Sequence, residues 1–451
     1  MAVDSQLSRL GLFDARVPRY TSYPTAPHFS TAVGPADFAG WIAAVPEGSK
    51  VSLYLHVPFC RRLCWFCACR TQGTATGEPV GAYVETLKAE VALLVSRLPS
   101  GVTLSRLHWG GGTPTLMTAA QIADLAGTIR AALPMARGAE FSVEIDPNEI
   151  DPARLDALAA AGMNRASIGV QDFDPEIQKI IGRDQSYEVT KAAADALRAR
   201  GIQSLNADIL FGLPNQSRER IADSVSMLLS LSPDRVALYG YAHVPWMARR
   251  QSMIPTDALP RPEERLELFE TARQLFLWDG YEEIGIDHFA RPEDGLAVAA
   301  RAGKLRRNFQ GYTDDTAPAL IGLGASAISR MPQGYAQNVS PTGEYTGRIR
   351  AGGFATHRGH AFSADDLLRG RMIEALMCDF RIDAEEMIRD WGADELSLQR
   401  MFREAARAFP GMVQVGAEGF SIPERARPLT RMIARAFDAY DLSKAGHSPA
   451  I

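Results

Sequence analysis

Long apolar runs are missing from this chain. No stretch of about 18 uncharged apolar residues occurs, so no segment is expected to cross a bilayer as a helix. An excess of charge of one sign is missing too: 48 Lys and Arg stand against 53 Asp and Glu, for a formal net charge of −5. That balance makes no electrostatic case for nucleic acid or an anionic membrane, while a local basic pocket for an acidic small molecule stays open. Cysteine is scarce, with five in 451 residues. A disulfide scaffold would scatter an even set through a short secreted chain, so a reducing compartment fits better. Met1 to Arg16 lacks the basic, apolar and small-residue regions of a secretory leader, and a cytoplasmic protein is expected.

What is present is a globular composition, 46% hydrophobic and 22% charged, long enough for two domains. After a polar opening around Arg19 to Thr25, strand and helix patterns alternate. Val51 to Val57, Leu104 to Trp109, Phe141 to Ile145, Ala166 to Val170, Ser204 to Leu210 and Arg235 to Tyr241 read as strands. Each is followed by a helical pattern, and a further strand is expected near Glu283 to Ile286. Six such units predict a parallel sheet wrapped by helices, as a doubly wound sheet or a barrel. Past about Gly359 the pattern turns mostly helical, with a short hairpin at Met412 to Ile422 and a last helix over Arg425 to Leu442.

The cysteines are lopsided. Cys60, Cys64, Cys67 and Cys69 fall within ten residues directly after the first strand, and Cys378 stands apart in an apolar helical pattern. Cys60, Cys64 and Cys67 form a C-x3-C-x2-C spacing. A [4Fe–4S] cube held by four thiolates is coordinatively full, whereas three ligands leave one iron free to bind a small molecule. A structural zinc site would call for four ligands in two pairs, and no second C-x2-C or H-x3-H follows.

Other polar signals keep one phase. Gly110-Gly111-Gly112-Thr113-Pro114 follows the second strand, Glu144 and Asp146 end the third, and Gln171 and Asp172 end the fourth. Asp208 lies in the fifth, and Tyr241-Ala242-His243 ends the sixth. These are carboxyl ends of successive parallel strands, where α/β folds place their sites.

The three-cysteine loop resembles the signature of the radical S-adenosylmethionine (SAM) superfamily. There, three cysteines bind three irons of a [4Fe–4S] cluster, SAM chelates the fourth, and one electron cleaves it to a 5′-deoxyadenosyl radical. Pro18 to Ala26, Cys60 to Cys69, His108 to Pro114, Gly169 to Phe173, Asp287 to Pro292 and Asn308 to Thr313 are together similar to one family of that superfamily, the oxygen-independent coproporphyrinogen III oxidases. The resemblance implies an α/β fold, a partial (β/α)6-type TIM barrel, with a smaller, mostly helical C-terminal domain. Its expected boundaries are 1–35 for an extension covering the active site, 36–358 for the catalytic domain and 359–451 for the last domain.

The resemblance also implies cofactors and residues. Two SAM molecules are expected, one meeting Tyr54, Gly111, Glu144 and Ile328, the other meeting Phe66, Gly112, Thr113, Gln171, Arg183, Asp208 and Ala242. The implied reaction converts two propionates of coproporphyrinogen III to vinyl groups, giving protoporphyrinogen IX in haem biosynthesis. Arginine suits a carboxylate, so Arg19, Arg61 and Arg62 are propionate candidates. A monomer with an unidentified electron donor and final acceptor is expected. The alternative is a haem chaperone of the same superfamily, against which the Arg19 to Pro24 segment and Cys69 both argue.

Overall fold

The computed structural model describes residues 6–202, 204–441 and 448–451. Six strands arise in chain order where alternation was expected: β1 Lys50–Val57, β2 Thr103–Gly111, β3 Met135–Ile145, β4 Arg165–Gln171, β5 Ser204–Phe211 and β6 Arg235–Gly240. Between and after them run α1 Glu78–Val95, α2 Ala119–Ala132, α3 Pro152–Ala160, α4 Tyr187–Arg198, α5 Arg218–Ser230 and α6 Pro262–Trp278. Helix starts are locally encoded. The Thr118 hydroxyl accepts from the Gln121 amide and Gln121 returns the bond at α2, while Ser186 and Ser217 cap α4 and α5.

The sheet continues through β7 Glu282–Ile284, β8 His288–Ala290, β9 Leu320–Leu323, β10 Ile328–Met331, β11 Gly334–Asn338 and β12 Thr356–Ala361. Its 12 strands run in the order β12-β11-β10-β9-β1-β2-β3-β4-β5-β6-β8-β7. The stretch from β9 through β1 to β6 is parallel, and both flanks are antiparallel. The fold is thus a partial barrel, with β1 to β6 pairing in sequence order and β9 added beside β1.

One face of each parallel strand is apolar and the other polar. Leu53, Leu107, Trp109, Phe141, Val143, Ile168 and Leu238 point outward into the main core against the helices. Ser52, Tyr54, His56, His108, Ser142, Glu144, Ser167 and Asp208 face the lumen. At the strand starts the lumen is floored by ion pairs: Arg106 to Glu140 and Arg165 to Glu140 at 2.7 Å, and Arg235 to Asp294 at 2.6 Å.

The C-terminal region differs in detail from the sequence reading. The sequence pattern is helical over Ala364 to Cys378 and Glu385 to Ala408; helix α7, Ala364–Asp379, is present, but the second stretch is two helices, Ala384–Trp391 and Glu395–Ala408, parted at Gly392 with φ +68°. The hairpin is part of a three-stranded sheet, Arg381–Asp383, Gln414–Gly416 and Gly419–Ser421. Where a long final helix was expected, Pro428 limits the chain to a 3-10 turn, Glu424–Leu429, and a short helix, Thr430–Arg435; Leu442 lies outside the described residues. Leu12, Val17, Tyr20 and Tyr23 share the core of this region with Leu376, Phe402 and Phe437. The Tyr20 hydroxyl donates to Asp438 at 2.9 Å.

Candidate active site

The loop from Cys60 to Cys69 leaves the carboxyl end of β1 and packs on that of β2. The Gly112 amide donates to the Val57 carbonyl at 2.8 Å and the Thr113 amide to the Phe59 carbonyl at 2.7 Å. Two glycines permit this approach. Gly111 sits at φ +112°, and a Cβ there would lie 2.5 Å from His56 Nδ1. A Cβ on Gly112 would lie 2.5 Å from the Phe59 carbonyl oxygen and 3.0 Å from Cys60 Sγ.

The thiols are half-buried and sit in a polar setting. Arg183 Nη1 donates to Cys64 Sγ at 3.6 Å, while its Nη2 holds the Gly169 carbonyl and Gln185 Oε1, each at 2.8 Å. Burial pushes the Cys60 thiol up to about 11 and the Cys64 thiol up as well, with Arg183 opposing the rise at Cys64. Cys67 is held below the usual thiol range by a hydrogen bond from Cys69, against burial, and the Cys69 amide lies 3.4 Å from Cys67 Sγ. Among the described residues no three His, Cys, Asp or Glu side chains converge on one ion position. A cube does not require that, since each thiolate holds its own iron. Three thiols on one loop, a glycine floor and a guanidinium beside them fit such a cluster.

Beside the loop lies a lumen cavity of about 670 Å³, reaching from Cys69 and Arg70 to Phe309 and Ile328. On its wall Tyr54 stacks on His108 across the β1–β2 register, with centroids 5.6 Å apart. The Tyr54 hydroxyl and His56 Nδ1 are 2.9 Å apart, and His108 meets Ser142 on one side and Glu144 at 3.4 Å on the other. The Gly111 amide donates to Glu144 at 2.9 Å. Burial works to raise the Glu144 carboxyl, but His108 and this amide hold it below its ordinary value. Asp208 is pushed up to about 7, by burial first and by Glu144 second, with Asn206 bonded to it at 2.9 Å.

Tyr54, Gly111, Glu144, Asp208 and Ile328 all line this cavity. The other expected residues gather closer to the cluster loop. Arg183 contacts Cys64; Gln171 and Arg183 both close over Gly169. One buried side chain, Gln251, donates to the carbonyls of Phe66 at 2.7 Å and Ala242 at 3.0 Å. Gly112 and Thr113 carry the bonds to the loop already described. Arg183 Nε is buried without a partner.

The three propionate candidates are not among the cavity lining. Arg61 sits 3.9 Å from Glu149, Arg62 lines a separate pocket of about 150 Å³, and half-buried Arg19 donates to the Gly240 carbonyl at 2.7 Å. Sequence reasoning missed His56, His108 and Ser142, although their signal was there: polar residues at every second position of β1, β2 and β3. It also missed Arg250, which braces the loop through Thr71 at 3.0 Å.

A thiol loop at the mouth of an incomplete parallel barrel points to one class, and the sequence pattern of the Radical SAM superfamily matches residues 54–228. The chain is a radical SAM oxidoreductase, using a [4Fe–4S] cluster and SAM. It is 69% identical to the oxygen-independent coproporphyrinogen III oxidase of Paracoccus denitrificans, over 100% of both chains. To the enzyme of that name from Escherichia coli K12 it is 39% identical, over 98% of this chain and 97% of that one. A solved structure of Escherichia coli coproporphyrinogen III oxidase, a radical SAM enzyme, superposes with a TM-score of 0.88 at 37% identity, covering 95% of this chain and 100% of that one. The chain belongs to the oxygen-independent coproporphyrinogen III oxidase family.

Proposed function

We propose that this chain decarboxylates two propionate side chains of coproporphyrinogen III to vinyl groups without oxygen, giving protoporphyrinogen IX. The observation that carries the reading is the roughly 670 Å³ lumen opening beside the cysteine loop, a volume within the roughly 300–1,000 Å³ of small-molecule sites. Cys60, Cys64 and Cys67 would hold the cluster. When bound, cluster and SAM supply a 5′-deoxyadenosyl radical able to take hydrogen from a propionate.

The chain's own part is placement. Glu144, kept ionised by His108 and the Gly111 amide, suits a cofactor amino group, and Tyr54 gives it a flat wall. Arg183, with a buried Nε still to be paired, suits the carboxylate of a second SAM beside Phe66, Gln171 and Ala242. Asp208, its carboxyl raised by burial and by Glu144, suits a hydrogen bond to a ribose hydroxyl or amino group. Arg70, at the exposed mouth of the lumen, is the cation best placed for a propionate.

The proposal includes a single chain as working unit, an external electron donor and a separate final acceptor. Five free thiols suit a reducing, cytoplasmic setting. The test is anaerobic incubation of reconstituted protein with dithionite, SAM and coproporphyrinogen III. Protoporphyrinogen IX is expected, and neither product nor cluster in Cys64→Ser. Cluster-loaded protein that cleaves SAM yet leaves all four propionates intact would overturn the reading.

A further inference from the structure

A second cavity, of about 470 Å³, lies outside the lumen between α6, the N-terminal segment at Arg19, the Glu424–Thr430 turn and residues 448–451. It shares no lining residue with the lumen. The β6–β8 edge separates them: Tyr239 and His288 face the lumen, while their chain neighbours Gly240 and Asp287 face this cavity.

Its inner wall carries four guanidiniums, those of Arg19, Arg265, Arg307 and Arg431. Arg431 bonds the carbonyls of Val17, Pro18, Pro449 and Ala450 and the Ser448 hydroxyl. Arg265 reaches main-chain oxygens of Gly212, Tyr241 and Ile451, and Arg19 that of Gly240. Among the described residues, none of these three pairs with an Asp or Glu side chain. The carboxylate on this wall, Asp287, is already engaged by His288 at 2.7 Å and faces Arg307 at 3.7 Å. Arg307 Nε and Nη1 are buried without hydrogen-bond partners.

Asp287 and the carboxylate of Ile451 offset part of this charge, and carbonyl dipoles solvate a buried cation without cancelling it, so the guanidiniums still in excess call for an anion. Burial, with Arg19 adding to it, already depresses Arg265 to about 10 and Arg431 to about 9. At the rim the charges satisfy one another: Glu283 pairs with Arg273 at 3.0 Å and with Arg427 at 2.8 Å. The remaining walls are apolar, from Leu266, Phe269, Ile286 and Phe380. Deep cations under apolar walls suit a ligand with a hydrophobic body and several carboxylates, and the volume is within the roughly 300–1,000 Å³ of small-molecule sites.

We propose that this cavity is a second binding site for a propionate-bearing tetrapyrrole, with its carboxylates on Arg19, Arg265 and Arg307, Arg431 being held by the main chain. The inference rests on the function proposed above, in which four-propionate substrate and two-propionate product offer the same chemistry. A site outside the lumen would keep either at hand between reaction events.

Anaerobically reconstituted holoenzyme titrated with coproporphyrin III, the oxidised and fluorescent macrocycle, is expected to bind two equivalents per chain by quenching. Arg265→Gln and Arg307→Gln should bind one, with cluster absorbance and far-ultraviolet circular dichroism retained. Should both unfold, Arg425→Glu at the exposed rim inverts a charge without touching the buried bonds, and should weaken the second equivalent about tenfold. Protoporphyrin IX competing as well as coproporphyrin III would mark the product as occupant; weaker competition would mark the substrate. A single equivalent in the wild type, or a second equivalent unchanged in Arg425→Glu, would overturn the site. Inorganic phosphate displacing the porphyrin at similar concentration would reduce it to a small-anion pocket and overturn it too. Two equivalents bound with no decarboxylation would instead refute the reaction and leave the site standing.

Discussion

Replacing Gly112 by alanine is expected to cost the protein its cluster before it costs the fold. The new Cβ would sit 2.5 Å from the Phe59 carbonyl oxygen, about 0.9 Å inside ordinary contact, and 3.0 Å from Cys60 Sγ. The carbonyl oxygen has no freedom to yield, because it accepts the Thr113 amide at 2.7 Å, while Gly112 itself is tied to Val57 at 2.8 Å. The strand end and the cysteine loop must therefore move apart. Overpacking of this kind costs about 1–3 kcal/mol, and the strain falls on the residue adjoining Cys60. If it were drawn wholly from cluster binding, retention would weaken by roughly 5- to 150-fold.

The assay is iron per chain after anaerobic reconstitution and desalting, with far-ultraviolet circular dichroism as the fold control. Gly127→Ala serves as the matched comparison: Gly127 lies inside α2 with nothing within 4 Å of its virtual Cβ. That change should leave iron content alone and stabilise the protein by up to about 1 kcal/mol. Wild-type iron content in Gly112→Ala would refute the claim that backbone proximity at this glycine seats the loop.

Arg183→Lys keeps the charge but not the fork that spans Cys64, Gly169 and Gln185, so the KM for SAM should rise about tenfold, the worth of one charge-assisted bond; an unchanged KM in a SAM titration would remove Arg183 from cofactor binding. Glu90 is buried in α1 among the Gly324 amide, Asn338 and Tyr345, and burial pushes its carboxyl up to about 7. A carboxyl raised above its unfolded value of 4.5 stabilises fully below that pH and loses its contribution as pH climbs through 7. Denaturant melts of cofactor-free protein should thus show stability falling between about pH 5 and 8 by up to roughly 3 kcal/mol relative to Glu90→Gln; parallel curves would count against it. Cys378→Ser, at a buried thiol of α7, should leave iron content and SAM cleavage intact while lowering the melting temperature.

The strand–helix repeat was legible because each parallel strand carries its own outward apolar face and each helix its own cap. Strands β9 to β12 were not: they are four to six residues long, and Gly322 belongs to a hairpin so close that a Cβ would meet the Ile328 carbonyl. Such pairing is set by the neighbouring strand rather than by local pattern. The cysteine loop and the carboxylates Glu144 and Asp208 were legible from spacing and phase. The partner of Glu144 was not, since His108 reaches it through the register of β2 against β3 rather than through nearness in sequence. Arg19 shows what residue type alone leaves out. Its residue type suited a propionate, but the N-terminal segment packs into the C-terminal core and carries it to the other side of the β6–β8 edge.

The incompleteness of the barrel bears directly on the chemistry. A closed eight-stranded parallel barrel fills its interior with layered side chains and leaves little room inside. Here the parallel series ends at β6 on one side and β9 on the other, and short antiparallel strands splay from both edges instead of joining. The inward positions near the strand ends are Ser, His, Tyr, Asp and Glu rather than branched apolar residues, so the upper lumen stays open while the Arg106–Glu140–Arg165 pairs close the floor. Space, polarity and the cluster loop therefore coincide at one end. Under the function proposed above, a macrocycle bearing four carboxylates would meet exposed Arg70 in the same lining as the wall formed by Tyr54 and Glu144. On this geometry Arg70→Glu should raise the KM for the tetrapyrrole and leave SAM binding unchanged, and a shift in both would mean that the mouth lies elsewhere.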